Sequence, residues 1–94
     1  MGKSVNVLGK KYTIQYVNAV EIDDNPVYGY CDCGNQKIVI DKNTHGKTQE
    51  DVLIHEIMHA VIERTGAHNN FTEDQIETIC DLAPLLIQAM RGIK

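Results

Sequence analysis

Apolar and polar residues alternate through much of the first forty positions, and then the repeat lengthens to that of a helix. Val5 and Val7, then Tyr12, Ile14 and Tyr16, take every second place on either side of Leu8-Gly9-Lys10-Lys11, which predicts a hairpin with one buried face. Asp23-Asp24-Asn25-Pro26 reads as a loop. A second hairpin is expected from Val27 to Cys31, a turn around Cys33-Gly34-Asn35, and a return along Lys37 to Asp41. The β-branched run Ile38-Val39-Ile40 in the return strand predicts burial on both faces. Beyond Asn43-Thr44-His45-Gly46, Thr48 and Asp51 resemble a capping pair, and apolar residues at 53, 57, 58, 61 and 62 predict a helix from Thr48 to Thr65, stopped at Gly66. Thr72 with Gln75 opens a second helix whose apolar stripe occupies 76, 79, 80, 83, 86, 87 and 90. That helix should reach about Met90, with Pro84 kinking or breaking it. The expected fold is α+β: a small, mostly antiparallel sheet of two hairpins packed on two carboxy-terminal helices.

With 94 residues the chain accommodates one domain, 1–94, and its 43% hydrophobic and 23% charged residues are those of a globular core. One Phe and no Trp leave that core to Ile, Val, Leu and Ala. Thirteen acids against nine bases give a net charge of −4, the wrong sign for wrapping nucleic acid. Lys3, Lys10 and Lys11 around the first turn are a solvated loop without the interleaved aromatics of a single-strand platform. No apolar run approaches the roughly 18–20 residues that span a bilayer. Met1-Gly2-Lys3-Ser4-Val5-Asn6 has neither the apolar stretch of a secretory leader nor the Ser or Thr of a myristoylation signal, so neither export nor membrane anchoring is expected. Three cysteines are an odd count, and Cys31 and Cys33 are too close along a regular strand for a comfortable disulfide; a reducing cytoplasm is the expected setting.

The chemistry lies in the first helix. His55-Glu56-Ile57-Met58-His59 sets two imidazoles four residues apart on one helical face, where both can point at a single ion, with Glu56 beside them in reach of a water on that ion. The plainer alternative is a pair of ordinary histidines on a half-buried face. Two imidazoles hold zinc too weakly alone, so a third protein ligand must come from elsewhere. On the second helix Glu77 and Asp81 stand four apart, off the main apolar line. If the helices pack antiparallel, Glu77 can face both histidines and Asp81 can accept a hydrogen bond from the free nitrogen of a ligating ring. Otherwise both acids belong to a solvated face with Glu73 and Asp74.

His55-Glu56-x-x-His59 followed eighteen residues later by Glu77-x-x-x-Asp81 resembles the zincin metallopeptidases of the gluzincin type. The order of elements and the short length are also similar to minimal ImmA/IrrE-like metallopeptidases and to small HExxH proteins of phages and prophages. The resemblance runs from Tyr28 to Ala83. It implies a zincin-like core, with Zn²⁺ held by His55, His59 and Glu77, Asp81 supporting one histidine, and Glu56 as general base in peptide-bond hydrolysis. A peptide or protein substrate would add as a strand along the region from Tyr28 to Asp41. The alternative is a non-catalytic zinc-binding module that docks on a protein partner, since a fold does not by itself dictate activity. Cys31 and Cys33 would supply a thiolate ligand on the pattern of the peptide deformylases, but Tyr-Cys-Asp-Cys-Gly is a different setting. Cys80 reads as a core residue. Tyr28, Tyr30, His45 and His68 are the candidates for stabilising a developing oxyanion.

Overall fold

The computed structural model describes residues 2–44 and 46–93; His45, one of the oxyanion candidates, lies outside them. Six strands precede two helices: β1 (Lys3–Val7), β2 (Lys10–Val17), β3 (Val20–Ile22), β4 (Asn25–Val27), β5 (Gly29–Asp32), β6 (Lys37–Asp41), α1 (Gly46–Thr65) and α2 (Glu73–Arg91). A single 3₁₀ turn, Ala67–Asn70, joins the helices. The architecture is α+β, as expected.

Both expected hairpins form. Between β1 and β2 the reversal needs only Leu8 and Gly9, at φ of 51° and 91°, and the Asn6 side chain accepts a hydrogen bond from the Gly9 N–H at 2.8 Å. Positive φ at both central residues gives the twist that two-residue hairpins favour. Between β5 and β6 the Asp32 carboxylate closes the turn by accepting from the Asn35 backbone and side-chain nitrogens, at 3.2 and 2.9 Å. Because β5 ends at Asp32, Cys33 leaves the strand, and the Cys31 and Cys33 sulfurs meet at 3.5 Å as free thiols. The i, i+2 separation of a regular strand does not apply there.

How the hairpins join departs from expectation. The main sheet runs β1-β2-β6-β5, and its central pair, β2 and β6, is parallel, with Ile14 opposite Ile38 and Tyr16 opposite Ile40. The sheet is therefore mixed. This central place explains the β-branched run: Ile38 and Ile40 are 0% exposed and Val39 is 4% exposed. Ile38 and Ile40 join Val7, Tyr12, Ile14 and Ala60 in the core cluster, against which Val52, Leu53, Ile57 and Val61 of α1 pack. Val39, on the opposite face of its strand, is buried outside that cluster. The expected loop at Asp23 to Pro26 is instead a third hairpin. Asp23 and Asp24 form its turn at φ of 51° and 65°, a left-handed region that short polar side chains tolerate, and Pro26 sits in β4 of a separate two-stranded sheet.

The helix α1 begins two residues before Thr48, so Thr48 lies inside it rather than capping it. It ends as expected, with Gly66 at φ 75° donating to the Glu63 carbonyl at 3.2 Å. At the start of α2 the capping box is complete. The Gln75 N–H donates to the Thr72 hydroxyl at 3.2 Å, and the Thr72 N–H donates to the Gln75 side chain at 2.8 Å. The helix runs unbroken through Pro84, whose ring is buried. Its expected stripe is only partly covered: Cys80 is 0% exposed, whereas Leu86 and Met90 are 61% and 56% exposed. The partner of α2 is α1, and the sheet lies on the far side of that helix. Gln88 donates to Asp51 at 3.4 Å and Arg91 pairs with Glu50, tying the end of α2 to the start of α1. Among the described residues no helix is long and apolar enough to cross a membrane.

Candidate metal centre

One helical turn separates His55 from His59 on α1, and their ring centroids are 5.0 Å apart. Both side chains are mostly covered, at 19% and 26% exposure, by the antiparallel passage of α2. Glu77, in the second turn of α2, reaches both rings. Its Oε2 is 3.4 Å from His55 Nε2 and its Oε1 is 2.9 Å from His59 Nε2. One turn further along, Asp81 Oδ1 is 3.0 Å from His55 Nδ1. The four residues singled out in the sequence are thus one cluster, built where two helices cross.

These spacings can be tested against an ion. Metal–donor bonds of about 2.0–2.1 Å in a tetrahedral site set the donor atoms roughly 3.3 Å from one another. The gaps from Glu77 to the two Nε2 atoms, one from each of its oxygens, fall on either side of that figure. Among the described residues two groups offer one donor atom each, all within 4.8 Å of one another: His55 with His59 and Cys80, and His55 with Glu77 and Asp81. Asp81 contacts the other nitrogen of His55, which places the ring proton on Nδ1 and leaves the Nε2 lone pair toward Glu77. Two imidazoles with a carboxylate in reach are donors that suit zinc, iron and other first-row divalent ions.

Glu56 projects from the same turn but into the fold: at 7% exposure it is the one buried charged residue among those described. Burial, and secondarily the negative charge of Glu77, push its carboxyl up to about 7. A carboxyl so placed exchanges a proton readily near neutrality, as a general acid–base group must. A cleft of about 360 Å³ opens beside His55, between β5 and the two helices, with Tyr28, Gly29, Val52, Pro84 and Leu85 in its walls. Of the oxyanion candidates, Tyr28 borders this cleft and is 65% exposed. Tyr30 and His68 do not line it, and His68 Nδ1 lies 3.4 Å from Glu63.

Cys31 and Cys33 belong to neither metal-capable group among the described residues. Burial, reinforced by the contact with Cys33, raises the Cys31 thiol well above its ordinary range. The cysteine that does reach the site is Cys80. Its sulfur and a nitrogen from each of His55 and His59 all lie within 4.8 Å of one another. Burial and then the nearby carboxylates, Glu77 first, push its thiol up to about 12. Its position three residues after Glu77, on the same helical face, is the signal by which the sequence could have marked it as more than core. Comparison with protein-family models, curated proteins and solved structures finds no match to this chain.

Proposed function

We propose that this chain is a zinc-dependent hydrolase of peptide bonds, acting in the cytoplasm, of the minimal zincin kind suggested by its motif. The observation that carries the reading is the reach of one carboxylate, Glu77, to the Nε2 atoms of both histidines while Asp81 engages the opposite nitrogen of His55. Histidines placed by chance on a half-buried face have no need of that division of labour between two acids.

When bound, zinc acts as a Lewis acid and lowers the pKa of a coordinated water toward about 7. His55, His59 and Glu77 are its holders, and Asp81 fixes the tautomer and orientation of His55. Glu56 takes the proton of the attacking water and returns it to the departing nitrogen. Its low exposure keeps bulk water from competing for that proton. A substrate segment has a docking edge in β5, the outer strand of the four-stranded sheet, which lies against α1 close to the cleft. Main-chain hydrogen bonds along such an edge bind extended peptides with little demand on their sequence.

The test is a comparison of the native chain with Glu56→Gln for zinc content and for cleavage of a mixed peptide library. Equal zinc with hydrolysis reduced by roughly 10²–10⁴-fold supports the assignment. Equal turnover in the variant removes the base, and absence of bound zinc removes the site. The nearness of Cys80 to both imidazoles favours a second reading, a non-catalytic zinc-binding module for a protein partner. Bound zinc without any product that depends on Glu56 would select it.

A further inference from the structure

We infer that Cys80 is an additional protein ligand of the ion, so that the metal is held by sulfur from the interior of the fold as well as by the donors on its surface. The inference rests on the reading that His55, His59 and Glu77 bind the metal, and it concerns which further donor that site has.

Glu77 and Cys80 are separated by three residues on α2 and so share a helical face. They approach the imidazole pair from opposite surroundings: the Glu77 side chain is 58% exposed, while Cys80 is 0% exposed. The carboxylate therefore comes from the solvent side and the sulfur from the interior. With a metal–sulfur bond of about 2.3 Å and metal–nitrogen bonds near 2.0–2.1 Å, a tetrahedral site sets sulfur and nitrogen roughly 3.6 Å apart. The Cys80 sulfur lies within 4.8 Å of one ring nitrogen of each histidine, so movements of roughly 1 Å bring the three to ligand spacing. With Glu77 added, two histidines, one carboxylate and one thiolate would make four protein ligands, the closed count that the zinc-binding-module reading expects. On binding, the thiol exchanges its proton for the metal ion, and the proton leaves with the water that the incoming ion sheds. The exchange needs no oxidant or reductant.

Cobalt(II) reports directly on sulfur ligation, because thiolate-to-cobalt charge transfer gives a near-ultraviolet absorption band that imidazole and carboxylate ligands do not. The metal-free 94-residue chain is titrated with cobalt chloride alone, alongside Cys80→Ser, Cys80→Ala and the double variant Cys31→Ser/Cys33→Ser. Zinc affinity is measured in parallel by competition with a chromophoric chelator. The expected result is a charge-transfer band in the native chain and in the double variant, its loss in both Cys80 variants, and zinc binding weakened at least tenfold by Cys80→Ala. Cobalt bound by the native chain without the band overturns the inference whatever the variants do, and so does a band that survives in Cys80→Ala. Those outcomes leave the two histidines and Glu77 in place as ligands. Failure of the native chain to take up either metal overturns both this inference and the proposed hydrolase.

Discussion

At the scale of single residues, the site divides labour among groups whose chemistry differs by surroundings. Asp81 touches one nitrogen of His55 and does not reach for the ion through it, so Asp81→Asn should keep the fold and weaken zinc binding by about 10–100-fold in a competition titration. Glu56 makes a prediction that needs no metal. Its carboxyl titrates near 7 in the folded chain and near 4.5 when unfolded, so between those values the native state holds a proton that the unfolded state has released. Stability of the metal-free protein contributed by this group is then fully present below about pH 4.5 and falls as pH rises toward 7. The loss is on the order of 3 kcal/mol. Urea midpoints across that range should decline in the native chain relative to Glu56→Gln, and parallel profiles for the two proteins would contradict the argument.

At the scale of elements, local signals and long-range pairing fare differently. The start of α2 is encoded within four residues, so Thr72→Ala, which removes one half of the reciprocal cap, should cost about 1 kcal/mol in chemical denaturation. Gly29 has a different reason to be small. A Cβ there would lie 2.7 Å from the Val39 carbonyl oxygen and 3.1 Å from Val52, so Gly29→Ala should push β5 away from β6 and α1 at a cost of roughly 1–3 kcal/mol. That contact is invisible in the sequence, where the glycine reads only as part of a strand. The same contrast explains what could be anticipated. Turns and caps depend on neighbours along the chain, and the hairpins and the Thr72 cap were legible. The parallel pairing of β2 with β6 depends on how segments more than twenty residues apart meet, and the burial of Ile38, Val39 and Ile40 hinted at a central strand without naming its partner. Asp23-Asp24 misleads because the acids that favour loops also tolerate the left-handed turn of a tight hairpin. Among site residues, the helical repeat alone put the histidines on one face and Glu77 with Asp81 on another. The approach of Cys80 required knowing how deeply α2 settles on α1.

At the scale of the molecule, α2 packs chiefly on α1 and leaves Leu82, Leu85, Leu86 and Met90 between 54% and 61% exposed, so its place depends largely on that one seam. An ion shared by the two helices would reinforce that seam. Zinc at about a hundred times its dissociation constant should stabilise the fold by about 2.7 kcal/mol, raising the thermal midpoint by roughly 10–20 °C. Chelation should reverse the gain, Glu77→Ala should abolish most of it, and hydrogen exchange should slow chiefly in α2. The donors from His55 to Asp81 also fall within a single pair of consecutive helices, the first of which packs on strands from earlier in the chain. Both helices follow all six strands along the chain. Synthesis runs from the amino terminus, so a polypeptide still being made has its strands before it has the pair of helices, and it can neither load the ion nor attack the chains around it until α2 is complete.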